Sequence, residues 1–330
     1  VKRPLAIVSV VALLAGCGAE PVGVTARAVP EVTLQPSGVQ IPASVPQAVQ
    51  ETCNPRASLR PQAPYGVIPP GSTMEKIRRR QRLIIGIGPS AYLLSFRDPH
   101  DQGKVHGFEA DIAREIAFAL FGDSNENRIQ FRALNTADRI PAIRGVDDKG
   151  QPVEQVDMVL AAMTMTCERW KAVSFSAEYY SAGQRVLVPR GSGIKGMDDL
   201  GGKKVCASVS STNIRSIAEA PSRPVPVGAA NTSDCLLMLQ QGQVDAVSTG
   251  DVILAGLAAQ DPSMEIAEQG RFTEEPTGIA MAHEAGDLVR FVNAVLERLV
   301  QNGRWTALQS QWLAPRIGAA APPVPQYQAE

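Results

Sequence analysis

The sequence predicts a two-lobed α/β protein, and three observations carry that expectation. The chain has 330 residues, 44% of them hydrophobic, which is ordinary for a soluble globular protein and a length that usually divides into two domains. From Leu83 onward, short apolar strands alternate with amphipathic helices in two successive runs that meet near Val188, as expected of two α/β lobes with a cleft between them. Ahead of the first run lies a stretch rich in Pro, Val, Gln and Ser with little periodicity, which separates the N-terminus from the folded body.

The N-terminus sets the compartment. Lys2 and Arg3 precede an apolar run, Leu5 to Leu14, much shorter than the roughly 20 residues that a membrane-spanning helix needs. Leu14-Ala15-Gly16-Cys17 follows. A short basic region, a short apolar run and small residues ending in cysteine read as a secretory signal peptide. The tetrapeptide resembles the lipobox of bacterial lipoproteins, which implies cleavage before Cys17 and a lipid on its sulfur. Residues 1–16 are therefore expected to be removed. Residues 17–71 are expected to be a flexible tether holding the protein to the outer face of the cell membrane, ordered only near Cys53. Residues 316–330, with Ala319-Ala320-Ala321-Pro322-Pro323-Val324-Pro325, read as an extended tail.

An exported chain is free to form disulfides. Cys53, Cys167, Cys206 and Cys235 allow three connectivities. Cys206 with Cys235 is favoured because both fall in one α/β unit, and Cys53 with Cys167 then remains. These bridges close loops of about 30 and about 115 residues, worth roughly 3.5 and nearly 5 kcal/mol in loop-closure entropy. A metal site is the competing use of cysteine, but no CxxC spacing exists and His100, His106 and His283 are scattered. With 32 basic and 33 acidic side chains, the chain has no net field to draw nucleic acid.

Element by element, Thr73 to Arg82 carries a charged helix signal and Leu83 to Ile87 a buried strand. A helix opens at Gly107, with Phe108, Ile112, Ile116 and Ala117 on one face. Strands at 129–134 and 156–160 and a helix at 139–144 follow, then a strand at 184–188. The pattern restarts with strands at 203–207, 225–227 and 244–248 and helices at 212–220, 232–241 and 252–259. Two apolar-faced helices, Leu288 to Gln301 and Trp305 to Leu313, return to the first lobe. The expected division is lobe 1 at 72–187, lobe 2 at 188–273 and the return to lobe 1 at 274–315.

Several stretches are similar to one family. They are Ser95-Phe96-Arg97-Asp98-Pro99, Gly107-Phe108-Glu109-x-Asp111-Ile112-Ala113, Thr164-x-Thr166-x-x-Arg169 with Phe175-Ser176, Asp245-Ala246-Val247-Ser248-Thr249, and Arg304-Trp305. From about Cys53 to Tyr327 the chain resembles the type 3 extracellular solute-binding proteins of ABC transporters, most closely the actinobacterial and mycobacterial glutamine/glutamate-binding lipoproteins. The resemblance implies a periplasmic-binding-protein type II fold: two lobes, two hinge strands, and an amino acid held in the cleft as the lobes close.

Arg169 is the first candidate site residue. A planar guanidinium presents paired donors matched to a carboxylate, and a partly dry cleft strengthens that contact. The resemblance implies that Arg169 clasps the ligand's α-carboxylate with Thr164 and the Ala162 backbone beside it, and that Thr212 reaches the same group from the opposite lobe. Ser208, Ser210, Ser211 and Thr212 stand where a strand turns into a helix, a place that welcomes an anion and equally an ordinary helix cap. Tyr92 is expected to fill part of the pocket or simply to pack.

Two departures bear on the ligand. Where the family carries aspartates for the ligand's ammonium, this chain has Gly88 and Gly250, with Asp251 one residue later. Either Asp251 swings in, or the ligand differs, or recognition has decayed. The function expected is capture of a small carboxylate ligand, such as glutamate, aspartate, asparagine or glutamine, by a monomer that needs no cofactor or metal and serves an ABC permease. The alternatives are an amino-acid sensor acting on a membrane partner and a kinase, or a degenerate binding protein. Catalysis, as in the cyclohexadienyl dehydratases of the same fold, is not expected. The histidines lie outside the motifs, and Glu109 and Asp111 read as structural carboxylates at a helix start.

Overall fold

The structure is a computed structural model that describes residues 35–45, 52–88 and 91–329. Residues 1–16, expected to be a signal peptide, and Cys17, expected to carry lipid, lie outside the described residues.

Two five-stranded sheets form the frame. In spatial order the first contains Ile129–Ala133, Leu83–Ile87, Met158–Leu160, Ala280–Met281 and Ser174–Phe175; the first three are parallel, and Ala280–Met281 runs antiparallel to both its neighbours. The second contains Val225–Ala229, Lys204–Ser208, Ala246–Gly250, Gln184–Pro189 and Met264–Ile266, with the same pattern of three parallel strands and an antiparallel fourth. The central strands are apolar almost throughout because helices cover both faces. Tyr180–Ala182 and Glu275–Thr277 pair antiparallel and carry the chain between the two sheets. They are the hinge strands. In open α/β sheets ligands collect beyond the carboxyl ends of the strands, and Gly88, Ala161, Ser208 and Gly250 stand at four such ends.

The helices follow from their apolar spacing. Phe108–Phe121 buries Phe108, Ile112, Ile116 and Leu120 along one face. It can begin where it does only because residue 107 is glycine: φ is +128°, and a Cβ there would lie 2.3 Å from the Leu94 carbonyl oxygen. Gly286–Gln301 and Arg304–Trp312 complete the first lobe, where the fully buried Trp305 donates from Nε1 to the Tyr179 carbonyl at 2.8 Å.

Three expectations are corrected. Gln184–Pro189 pairs within the second sheet, so the crossing between lobes falls at the hinge strand Tyr180–Ala182 and not at residue 187. The stretch expected as tether is docked where it is described. Gln40 bridges Gly228, and Ala43 N donates to the Pro226 carbonyl at 2.8 Å, covering the edge strand of the second sheet. Ala57–Ser58 pairs in parallel with Gln326–Tyr327, so the C-terminal stretch is held as well. Ser58 is fully buried and satisfied by the Phe175 carbonyl and by Asn293. Low periodicity marked these segments as irregular, but irregular chain docks well when its backbone groups find partners on a sheet edge.

Both expected bridges form: Cys53–Cys167 with Cα atoms 6.0 Å apart and Cys206–Cys235 at 5.5 Å. The second joins the strand Lys204–Ser208 to the helix Thr232–Gln240 inside the core of the second lobe. Replacing both of its cysteines with alanine should lower stability by roughly 2–4 kcal/mol, read as a lower denaturant midpoint. An unchanged midpoint would show that the bridge constrains nothing the packing does not already hold.

Candidate functional site

Arg169 lies on the short helix Cys167–Trp170, which is fixed at both ends. Thr166 caps it, its Oγ1 accepting from Arg169 N at 3.2 Å, and Cys167 is bridged to Cys53. Trp170 Nε1 donates to the Pro55 carbonyl at 2.8 Å. The guanidinium donates once, from Nη1 to the Thr164 carbonyl at 2.7 Å. Among the described residues its other donors have no hydrogen-bond partner. Burial, with Arg139 adding to it, brings its pKa down to about 10, which leaves it charged at neutral pH.

The second lobe meets this group closely. Thr212 Oγ1 stands 3.3 Å from Thr164 Oγ1, and Arg215 pairs with Glu168 at 2.9 Å. Across the cleft, a Cβ on Gly256 would lie 2.8 Å from the Tyr92 carbonyl oxygen. The lobes are closed on one another.

The expected residues divide into groups. Arg169, Thr164 and Thr212 converge. Ala162 lines the cleft in a left-handed conformation, φ +47°. Its N–H is already committed to Glu109 Oε1 at 2.7 Å, and the same oxygen accepts from the Tyr179 hydroxyl. Glu109 is thus the structural carboxylate that holds Ala162 in a conformation non-glycine residues seldom adopt; burial raises its pKa. Ser211 is the helix cap, accepting from Ile214 N at 3.1 Å and donating to the Ser208 carbonyl at 2.6 Å. Ser208 lines a cavity with Gly88 and Arg139 and is 3.3 Å from Thr232 Oγ1.

Two residues are placed elsewhere. Asp251 does not swing into the cleft: Arg271 Nε donates to its Oδ2 at 2.7 Å and Val252 N to its Oδ1 at 2.9 Å. The first turn of its helix turns the side chain toward the hinge side. Tyr92 packs against Phe96 with ring centroids 4.7 Å apart and planes tilted by 49°, and it does not line the cavity beside Gly250.

The two glycines have different surroundings. A Cβ on Gly250 would lie 3.3 Å from Glu275 Oε2, and one on Gly88 would lie 3.9 Å from an Arg139 guanidinium nitrogen. Glu275, on the second hinge strand, lines the cavity with Thr249 and Gly250. Its Oε1 accepts from Asn213 Nδ2 at 2.5 Å and Thr212 Oγ1 at 3.4 Å. Among the described residues, the Arg139 guanidinium makes no hydrogen bond or ion pair, and its Nε is buried without a partner. The sequence reading missed both residues. The only sequence signal for Glu275 is an acid inside Glu275-Pro276-Thr277, at the start of the return to the first lobe.

Burial raises the Glu275 pKa to about 7; hydrogen bonds from Asn213 and Thr212 and the charge on Arg169 oppose the rise, and Asp251 adds to it. The unfolded chain therefore releases this proton near pH 4.5 and the closed protein near 7. The unfolded state binds fewer protons between those values, so this group makes stability fall as pH rises through the window. Glu275→Gln should remove that fall, and its advantage over the parent without ligand should grow to at most about 3 kcal/mol by pH 7 and stay level above it. Parallel stability-pH curves for the two proteins would contradict the assignment.

Residues 83–315 match the family described as bacterial extracellular solute-binding proteins, family 3. The chain is 32% identical over 242 residues to the ABC transporter glutamine-binding protein GlnH of Bacillus subtilis, covering 73% of this chain and 84% of that one. It is 34% identical over 214 residues to a glutamine-binding protein of Geobacillus stearothermophilus, covering 64% and 77%. Among solved structures, an ancestral arginine-binding protein bound to glutamine superposes with a TM-score of 0.62 at 30% identity, covering 71% of this chain and 98% of that one.

Proposed function

Because the chain belongs to the bacterial extracellular solute-binding proteins of family 3, we propose that it captures an α-amino acid with an acidic or amide side chain and delivers it to an ABC importer. The observation that carries this reading is Arg169: a guanidinium in a closed interlobe cleft, held by one backbone carbonyl, with free donors beside two facing threonines. A carboxylate placed there gains charge-assisted, paired hydrogen bonds. Glutamate, glutamine, aspartate and asparagine carry that carboxylate and also a second polar end. The cavity around Arg139, Ser208, Asn231 and Thr232 suits that end. The relatives named for glutamine and the ancestral protein bound to glutamine support the same class.

In this reading the protein is extracytoplasmic, as the family description says, and is tied to the membrane by lipid on Cys17. It works as a monomer, with no cofactor and no reaction. The lobes are 72–183 with 274–315, and 184–273. Gly250 does not signal decay, since the Glu275 carboxylate from elsewhere in the chain stands beside it.

A thermal-shift screen of the chain lacking residues 1–17 against amino acids, dicarboxylates and amides tests the ligand class. A true ligand at about 100 times its dissociation constant should add about 2.7 kcal/mol of stability. Arg169→Ala should then cost about 2–5 kcal/mol of binding with the unliganded melting curve kept. Parent-like affinity in that variant by calorimetry would refute the assignment.

A further inference from the structure

We infer that Glu275 on the hinge strand supplies the anion that faces the ligand's ammonium, a role that neither Asp251 nor Gly250 fills here. The inference rests on the amino-acid reading above.

Three carboxylates stand near Gly250, and Asp251 and Glu109 are already committed to neighbouring groups. Both oxygens of Asp251 are occupied, by Arg271 and by Val252 N. Glu109 lines the same cavity but uses Oε1 to hold Ala162 and Tyr179, and its Oε2 is buried without a hydrogen-bond partner among the described residues. Glu275 differs. Its Oε1 is held by Asn213 and Thr212, which aims the group, while among the described residues Oε2 receives no hydrogen bond. That free oxygen borders the cavity and stands 3.3 Å from where a Gly250 Cβ would be. A side chain at 250 would crowd it, so the carboxylate would have to give way by a few tenths of an ångström. Glycine at 250 and glutamate at 275 are thus one arrangement: the small residue clears the volume that the carboxylate occupies.

Geometry favours an ammonium as its partner. Thr212 touches both ends of the cleft, its hydroxyl 3.3 Å from Thr164 and 3.4 Å from Glu275. An α-amino acid whose carboxylate meets Arg169 and Thr212 therefore carries its amine toward Glu275. An anion placed at Glu275 would be repelled. An ammonium cancels a charge that closure would otherwise strand in a dry site.

The test compares L-glutamine and L-glutamate with their deaminated counterparts, glutaramate and glutarate, by calorimetry on the purified protein. The parent should prefer the amine-bearing ligand of each pair by about ten- to a hundredfold. Glu275→Gln should bring that preference close to one. Adding Gly250→Asp to Glu275→Gln should restore most of it by returning a carboxylate to the same volume. Gly250→Asp alone should weaken L-glutamine binding at least about tenfold, because two carboxylates would crowd one site. A preference that survives Glu275→Gln, or Gly250→Asp binding as tightly as the parent, would overturn the assignment. If the parent binds all four compounds equally, Glu275 has no such role while the carboxylate reading at Arg169 stands. If it binds none of them, the amino-acid reading fails and this inference fails with it.

Discussion

Two lobes that close over charged groups need something between them to balance those charges. Arg169 keeps one hydrogen bond, Arg139 has none among the described residues, and Glu275 is charged or neutral depending on what faces it. An ion taken out of water without a partner costs several kcal/mol. The closed cleft is therefore a set of half-made pairs, and a molecule carrying the complementary charges in the right order completes them. Affinity and closure become one event, because a ligand shifts the lobes only by as much as it prefers the closed state.

The scaffold holds this arrangement with rigid parts on each side and a flexible one between. Strand ends present Ala162 and Ser208, and the Cys53–Cys167 bridge with the Thr166 cap fixes the helix of Arg169. Glu109 stabilises the left-handed Ala162, so a residue in the first lobe is spent on shape and not on contact. Glu275 belongs to a hinge strand paired with Tyr180–Ala182. Its bonds to Thr212 and Asn213 tie the hinge to the second lobe. The carboxylate proposed to face the ligand is thus part of the joint between the lobes.

Much of this was legible in the sequence, and what was not has physical causes. Strands and helices repeat with clear periods, so both lobes and the returning helices could be read directly. Arg169 and Thr164 sit in a spaced motif, and Thr212 stands where a strand turns into a helix. Glu275 was hidden because the missing carboxylate was sought next to Gly250 in sequence, while the group that fills the same space comes from 25 residues away by way of a different strand. Asp251 looked suitable by proximity alone, yet one step into a helix rotates a side chain by roughly 100°, and it meets Arg271 instead. The docked segments at 35–45 and 326–327 were illegible for another reason: sheet-edge pairing uses backbone groups that every residue carries.

The central claim is that a ligand carboxylate on Arg169 draws the lobes together, and small-angle X-ray scattering tests it directly. The radius of gyration should fall on adding L-glutamine and stay unchanged on adding L-glutaminamide at the same concentration, since the amide lacks the carboxylate that Arg169 would pair with. Equal compaction by both compounds, or by neither, would contradict the account.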